Sequence, residues 1–310
     1  MDGHLSRKIK DVENQFDKLP KTGVHEKFRG LPYFSNIAID HISGYTRYEA
    51  ENGDMLYIFN HQLKGRTSCR VLYKREITDQ HQEIRTPAGY DHTGGIQAIG
   101  KYLFVPCSKG SNSVVAVYDI NTRSTDVVKT YTDLEGSSAV GITDFVFNGK
   151  LHYFLVVSRS TRYNAYVAEV PADGNMASVD KFESKGHYDL TGLPKKIVKS
   201  GSISCDGFGL ITEAETNKVY MLALEVHSNE DWAYLIELTF GADGKIRFTD
   251  TDIKGKHLTN KGGIAGSAGS HFRWGAGISI DSDNNLVLLA TSRNIQAGNF
   301  LDTTSWASKP

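Results

Sequence analysis

The sequence predicts an all-β chain, a ring of about five similar four-stranded units preceded by an amphipathic helix, and three observations carry that reading. The first is a repeat. Asp40-His41-Ile42-Ser43-Gly44-Tyr45 returns as Asp91-His92-Thr93-Gly94-Gly95-Ile96, and the Gly-plus-apolar step recurs at Gly141-Ile142, Gly209-Leu210 and Gly277-Ile278. Self-similarity at roughly 45 to 70 residues marks architectures built from repeated units. The second is patterning: from Tyr33 onward, short β-rich runs are divided by Gly, Asn, Asp and Ser, with few stretches long enough for a helix. The third is turn chemistry. Gly100-Lys101, Asn121-Thr122, Asn148-Gly149 and Asp243-Gly244 fall between neighbouring runs, where tight hairpin turns need such residues.

Taken in order, Ile9, Val12, Phe16 and Leu19 recur at helical spacing among Lys, Asp and Glu, which predicts one amphipathic helix ending before Pro20 and packing on the outside. The first unit offers Met55 to Phe59 and Cys69 to Arg75. The second reads as strands over Gly95 to Ile99, Tyr102 to Val105, Val114 to Ile120 and Thr125 to Tyr131. The third has Ile142 to Phe147, Leu151 to Val157 and Tyr166 to Val170. The fourth has Gly209 to Thr212, Val219 to Val226, Ala233 to Phe240 and Ile246 to Thr249. The last, Gly277 to Ile280 and Leu286 to Thr291, lacks a strand, and Phe28 to Ile39 is expected to supply it, closing the ring between the two chain ends. Residues 1–32 then form a helix and lead-in, and 33–310 a single domain.

Composition narrows the function. Hydrophobic residues make up 39% of the chain and charged residues 23%, with a formal net charge of −1 and no basic stripe, so nucleic acid is not an expected partner. No apolar stretch approaches bilayer length, and no membrane partner is expected. The polar first 19 residues lack a signal-peptide core and no Asn-x-Ser/Thr sequon occurs, which favours a cytoplasmic protein over a secreted one whose signal has been removed. Cys69, Cys107 and Cys205 are widely spaced and odd in number. They read as buried thiols, matching neither a disulfide framework nor a structural zinc site.

This layout of four-stranded meanders resembles the β-propeller superfamily, on blade pattern over most of the chain and without the WD dipeptide of its commonest family. A β-sandwich with long insertions is the competing architecture. The resemblance implies a central channel, with the start of each innermost strand and the end of each second strand converging on one mouth. His41, His92, Ser138, Asp206 and Trp274 fall at the first of these places, and His61, Cys107, Arg159, His227 and Arg293 at the second. Several His and Arg groups beside a Trp suit a small polar or anionic ligand, since guanidinium forks a carboxylate, sulfate or phosphate and an aromatic ring packs on a sugar.

His41 and His92 occupy the same place in adjacent units and each follows an Asp. Three readings stand: an acid–base pair, a divalent-metal site completed by His61 or His227, or a hydrogen-bonding device tying one blade to the next. Ser158-Arg159-Ser160-Thr161-Arg162-Tyr163 and Thr291-Ser292-Arg293-Asn294 place Arg in polar loops after strands, with Tyr163 a candidate proton relay. Gly262 to Ser270, running into His271-Phe272-Arg273-Trp274, is either a lid over the mouth or a long connection. Glu225, His227, Glu230, Asp231 and Trp232 read as a rim. No G-x-S-x-G, H-E-x-x-H or P-loop occurs. The expected function is lyase or isomerase chemistry on a small polar or anionic molecule, a uronic-acid-type sugar being one candidate. His41, His92 and Tyr163 would be catalytic, and His61, Arg159, His227, Arg273, Trp274 and Arg293 would bind ligand. The alternative is a non-catalytic propeller binding a glycan or protein partner through the same face. No cofactor is required by this reading, a divalent metal being optional, and oligomeric state is left open.

Overall fold

A computed structural model describes residues 5–31, 40–49, 53–62, 69–74, 81–121, 126–136, 138–205, 207–241, 243–247, 253–260, 269–296 and 299–308. The chain forms a five-bladed β-propeller. Blade 1 comprises His41–Glu49, Met55–Gln62, Arg70–Lys74 and Gln82–Arg85, from the axis outward. Blade 2 begins with two short pieces, His92–Thr93 and Gln97–Ile99, both paired to Tyr102–Lys109, followed by Asn112–Asp119 and Val127–Tyr131. Blade 3 is Ala139–Phe147, Lys150–Arg159, Arg162–Glu169 and Glu183–Asp189. Blade 4 is Gly207–Thr212, Val219–His227 and Glu230–Phe240, with Ile253–Leu258 outermost. Blade 5 is His271–Ile280, Leu286–Thr291 and Phe300–Ala307, completed by Val24–Arg29 from the other end of the chain.

The repeat in the sequence has a packing cause. A β-carbon on Gly209 would lie 2.2 Å from Ile278 Cγ1 of the next blade, and one on Gly277 would lie 2.0 Å from the carbonyl oxygen of Tyr45. At Gly277 the inner strands meet backbone to backbone, and at Gly209 the Ile278 side chain takes the space a β-carbon would need, so glycine fits at both. Between blades the core divides into five apolar layers. Blade 2 packs on blade 3 through Phe104, Val140, Tyr153 and Leu155, and blade 5 on blade 1 through Phe28, Tyr45, Phe59 and Leu289. Near the axis Gln97 pins three blades: its Oε1 accepts from the Ile142 and Leu210 amides at 2.8 and 2.9 Å, and its Nε2 donates to the Leu210 carbonyl at 2.9 Å.

Ring closure occurs as expected in kind but through a different segment. Val24–Arg29 pairs along its whole length with Phe300–Ala307, whereas the expected stretch overlaps it only at Phe28 and Arg29, its residues 32–39 lying outside the described ones. Within Val24–Arg29 only Phe28 is buried, so the strand lacks the apolar density that marks its neighbours. The lead-in is therefore hydrogen-bonded into the ring. The outer strands Glu183–Asp189 and Ile253–Leu258 were not anticipated for the same reason, being largely polar; the anticipated Ile246–Thr249 is a two-residue pairing at Ile246–Arg247. The turn at Asn148-Gly149 has both residues at positive φ, 51° and 76°, as a type I′ hairpin requires.

The helix is shorter than its apolar spacing suggests, Val12–Lys18, capped by Asp11 accepting from the Asn14 amide. Ile9 lies before it in a bridge to Glu213, and Ile9, Val12, Phe16 and Leu19 are all buried in the layer between blades 4 and 5. Ahead of the helix, residues 6–9 cross the face where the inner strands end. Arg7 pairs with Glu49 of blade 1 at 2.7 Å, and Ser6 N and Lys8 Nζ reach the buried Asp144 of blade 3 at 2.6 and 3.0 Å. This end of the axis is covered by the chain itself. No helix among the described residues is long and apolar enough to cross a membrane.

Candidate functional site

The opposite face is the mouth, and the antiparallel register brings the expected positions together there. His41 lies opposite Gln62, His92 opposite Ser108, Ala139 opposite Ser158, and His271 opposite Thr291. Asp206, just before Gly207–Thr212, lies outside the described residues, as does most of Gly262 to Ser270, so the lid expectation is not addressed.

At the seam of blades 5 and 1 the structure assembles one compact group. Register shifts between His271 and Ala276, and this bulge lifts Arg273 and Trp274 out of regular pairing. Gly275 makes the bulge possible: its amide donates to Thr291 Oγ1 at 3.0 Å, and a β-carbon would lie 2.5 Å from Ile42 Cγ2. The Arg293 and Arg273 guanidinium carbons stand 4.9 and 5.3 Å from the Trp274 ring centroid, and the His41 ring meets the indole edge-on at 5.9 Å. The Arg293 backbone carbonyl in turn accepts from the Ile42 amide at 2.9 Å, fixing the loop after Thr291 against blade 1. Four of the nine sequence-predicted residues, His41, Arg273, Trp274 and Arg293, thus meet.

His61 stands behind this group, 1% exposed. Burial holds its imidazole well below the usual histidine range, reinforced by Arg70 and by His41. It is neutral at neutral pH. With Arg70 beside His61 and guanidiniums around Trp274, this donor set repels a cation. Among the described residues no group of three or more His, Cys, Asp or Glu side chains could hold a metal.

The remaining predicted residues are distributed round the ring. His92 is exposed at the entrance of blade 2, where its neighbour Thr93 meets Ser43 of blade 1 at 3.0 Å between hydroxyls. Arg159 is exposed on the blade 3 hairpin opposite Arg162, and His227 is half-buried opposite Glu230 in blade 4. Tyr163 is fully buried between blades 3 and 4, stacked on Tyr188 at 5.5 Å, its hydroxyl placed to donate to the Ile203 carbonyl. Burial pushes this phenol well above its ordinary value, and its contacts here are those of packing, away from the group around Trp274. The three cysteines are free and buried, as expected.

Two residues of the expected rim, the buried Asp231 and the half-buried Glu225, lie at the seam of blades 4 and 5. Asp231, 3% exposed, accepts from the Phe272 amide at 2.9 Å and pairs with His271 Nδ1 at 3.1 Å, holding that imidazole above its usual range. A blade-to-blade tie of this Asp–His kind joins blades 4 and 5. Glu225 lines a cavity of about 310 Å³ at the same seam, with Ser204, Cys205, Val226, Phe272 and Arg273. Its Oε1 accepts from the Ser204 amide at 3.4 Å, and its buried Oε2 has no hydrogen-bond partner among the described residues. Burial pushes this carboxyl up to about 7. A lone acid in the apolar run Val219–His227 was the sequence signal for it.

No protein-family model matches the chain, and no curated protein matches it in sequence. Solved structures do match in shape. The chain is similar to the catalytic domain of a GH62 alpha-L-arabinofuranosidase from Coprinopsis cinerea at 9% identity and a TM-score of 0.53, covering 93% of this chain and 98% of that one. It is also similar to a GH62 hydrolase in complex with xylotriose, at 8% identity and a TM-score of 0.53 over 93% and 96% of the two chains. An exo-beta-1,3-galactanase from Phanerochaete chrysosporium aligns at 11% identity and a TM-score of 0.48, over 90% and 81%. At 8 and 9% identity, the likeness to the two GH62 structures shows the fold alone.

Proposed function

We propose that this protein acts on an acidic carbohydrate, of the uronic-acid type, at the open mouth between blades 5 and 1. The observation that carries this reading is the Arg293–Trp274–Arg273 group beside His41. A guanidinium held over an indole is partly ordered before a ligand arrives, with less side-chain entropy left to lose on binding, and its donors suit a carboxylate or sulfate. Trp274 supplies apolar surface of the kind that packs against a sugar ring. Sugar as the ligand class also draws support from the two propellers of TM-score 0.53, one described as an arabinofuranosidase and the other bound to xylotriose.

His41, edge-on to Trp274, is the group placed to move a proton, with His92 at the matching place on the next blade. Tyr163 takes no part. Within this reading the bond-cleaving chemistry is either hydrolysis or the elimination that an Arg-held carboxylate promotes by acidifying the neighbouring C–H. Incubating the protein with a galacturonic-acid trisaccharide and weighing the products by mass spectrometry decides between them. Products carrying an added water indicate hydrolysis, and an unsaturated, ultraviolet-absorbing product indicates elimination. Binding without turnover would make the protein a non-catalytic receptor for the same ligand, and no binding would overturn the proposal. In a cleaving enzyme, His41→Ala should lower the rate by roughly two to four orders of magnitude.

A further inference from the structure

The cavity at the seam of blades 4 and 5 adjoins the proposed sugar site through one shared residue. Arg273 lines that cavity and also stacks on Trp274. At about 310 Å³ the cavity sits at the lower bound of small-ligand pockets, room for roughly one sugar unit. Its charged lining is one guanidinium and one carboxyl, Arg273 and Glu225, among the uncharged polar residues Ser204, Ser228 and Asn229, and the Glu225 Oε2 is buried without a hydrogen-bond partner among the described residues. The two sit on different blades, with no ion pair between them among the described contacts. An ionised Glu225 here would repel an anionic ligand drawn in by Arg273. A protonated one would donate a hydrogen bond to it.

We propose that this cavity is a carboxylate-binding subsite in which Glu225, as the carboxylic acid, and Arg273 together hold a uronate carboxylate, so that the ligand takes up one proton as it binds. The inference rests on the acidic-sugar reading above and deepens it. The elevation of the Glu225 carboxyl to about 7 is consistent with a group that holds its proton near neutrality. Among the described residues, the titratable groups around it are Tyr234 on the adjoining strand, Cys205 before the inner strand of blade 4, Arg273 on blade 5, and the nearby His227 and Asp231–His271 pair. Tyr234 is itself pushed up to about 12 by burial and stays neutral throughout. His271 is the group whose titration could imitate the effect.

The test is calorimetric titration of the intact protein with a galacturonic-acid trisaccharide from pH 5 to 9, in two buffers of different ionisation heat. Affinity should be flat below about pH 7 and fall roughly tenfold per pH unit above it, with about one proton taken up per ligand at pH 8 and none at pH 5. Glu225→Gln, which offers an amide donor, should bind with pH-independent affinity and no proton uptake. His271→Gln should keep the wild-type slope. Binding without proton linkage, or a slope that survives Glu225→Gln or vanishes in His271→Gln, overturns the subsite while leaving the acidic-sugar reading intact. Absence of binding at every pH overturns both.

Discussion

Replacing Glu225 by Gln should make the protein more stable above neutrality and leave it unchanged in acid. In the folded state the carboxyl holds its proton to about pH 7, against 4.5 ordinarily, because burial disfavours the charged form. Below pH 4.5 folded and unfolded chains are both protonated and the group contributes nothing. Between 4.5 and 7 the unfolded chain releases a proton that the folded one retains, so stability falls as pH rises; above 7 both are ionised and the loss is complete. At ~1.4 kcal/mol per pH unit the full displacement corresponds to about 3 kcal/mol, and solvent access to the cavity reduces this to about 2 kcal/mol. The glutamine stays neutral and avoids the loss. Urea unfolding of both proteins at pH 4 and pH 8 measures it: near-equal midpoints at pH 4, and the variant more stable by about 2 kcal/mol at pH 8. A difference of the same size at both pH values would refute the reasoning, since steric or packing effects do not titrate.

The other predictions test separate parts of the structure. Gly275→Ala should disturb the bulge that presents Arg273 and Trp274, because its β-carbon would meet Ile42 and Thr291 at 2.5 and 2.6 Å; a loss of about 1–3 kcal/mol by thermal unfolding, with lost sugar binding, is expected. Asp231→Asn should cost about 1–3 kcal/mol and return the His271 pKa toward 6.5, read from its NMR titration, since the carboxylate partner at 3.1 Å is gone. Because His61 is held neutral in the fold, wild-type stability should decline as pH drops below 6.5, and His61→Gln should flatten that part of the profile measured by chemical denaturation.

The sequence disclosed the fold because its repeat reports a physical constraint, the close approach of inner strands at Gly209 and Gly277. Apolar strands near the axis were legible for the same reason. Outer strands such as Ile253–Leu258 were not, because only their two ends are buried and their pairing is decided by the neighbouring strand. The cluster of His41, Trp274, Arg273 and Arg293 could be anticipated from strand-entrance positions. Which of several equivalent positions would meet could not, because the bulge at Gly275 has no periodic signature. Glu225 and the Asp231–His271 tie depend on burial between blades 4 and 5, which local spacing does not encode. Tyr163 shows the converse: its loop pointed toward a ligand, whereas its side chain packs on Tyr188.

Recognition of negative charge at the mouth is the central claim, and one comparison tests it most directly: calorimetric affinity for a galacturonic-acid trisaccharide against its methyl ester, which has the same sugar chain without the charge. With Arg293 and Arg273 pre-oriented on Trp274, the acid should bind roughly 10- to 100-fold more tightly, the range expected of charge-assisted hydrogen bonds, and the double variant Arg273→Ala/Arg293→Ala should remove most of that preference. Equal affinities for acid and ester, or a preference that survives the loss of both arginines, would contradict the account.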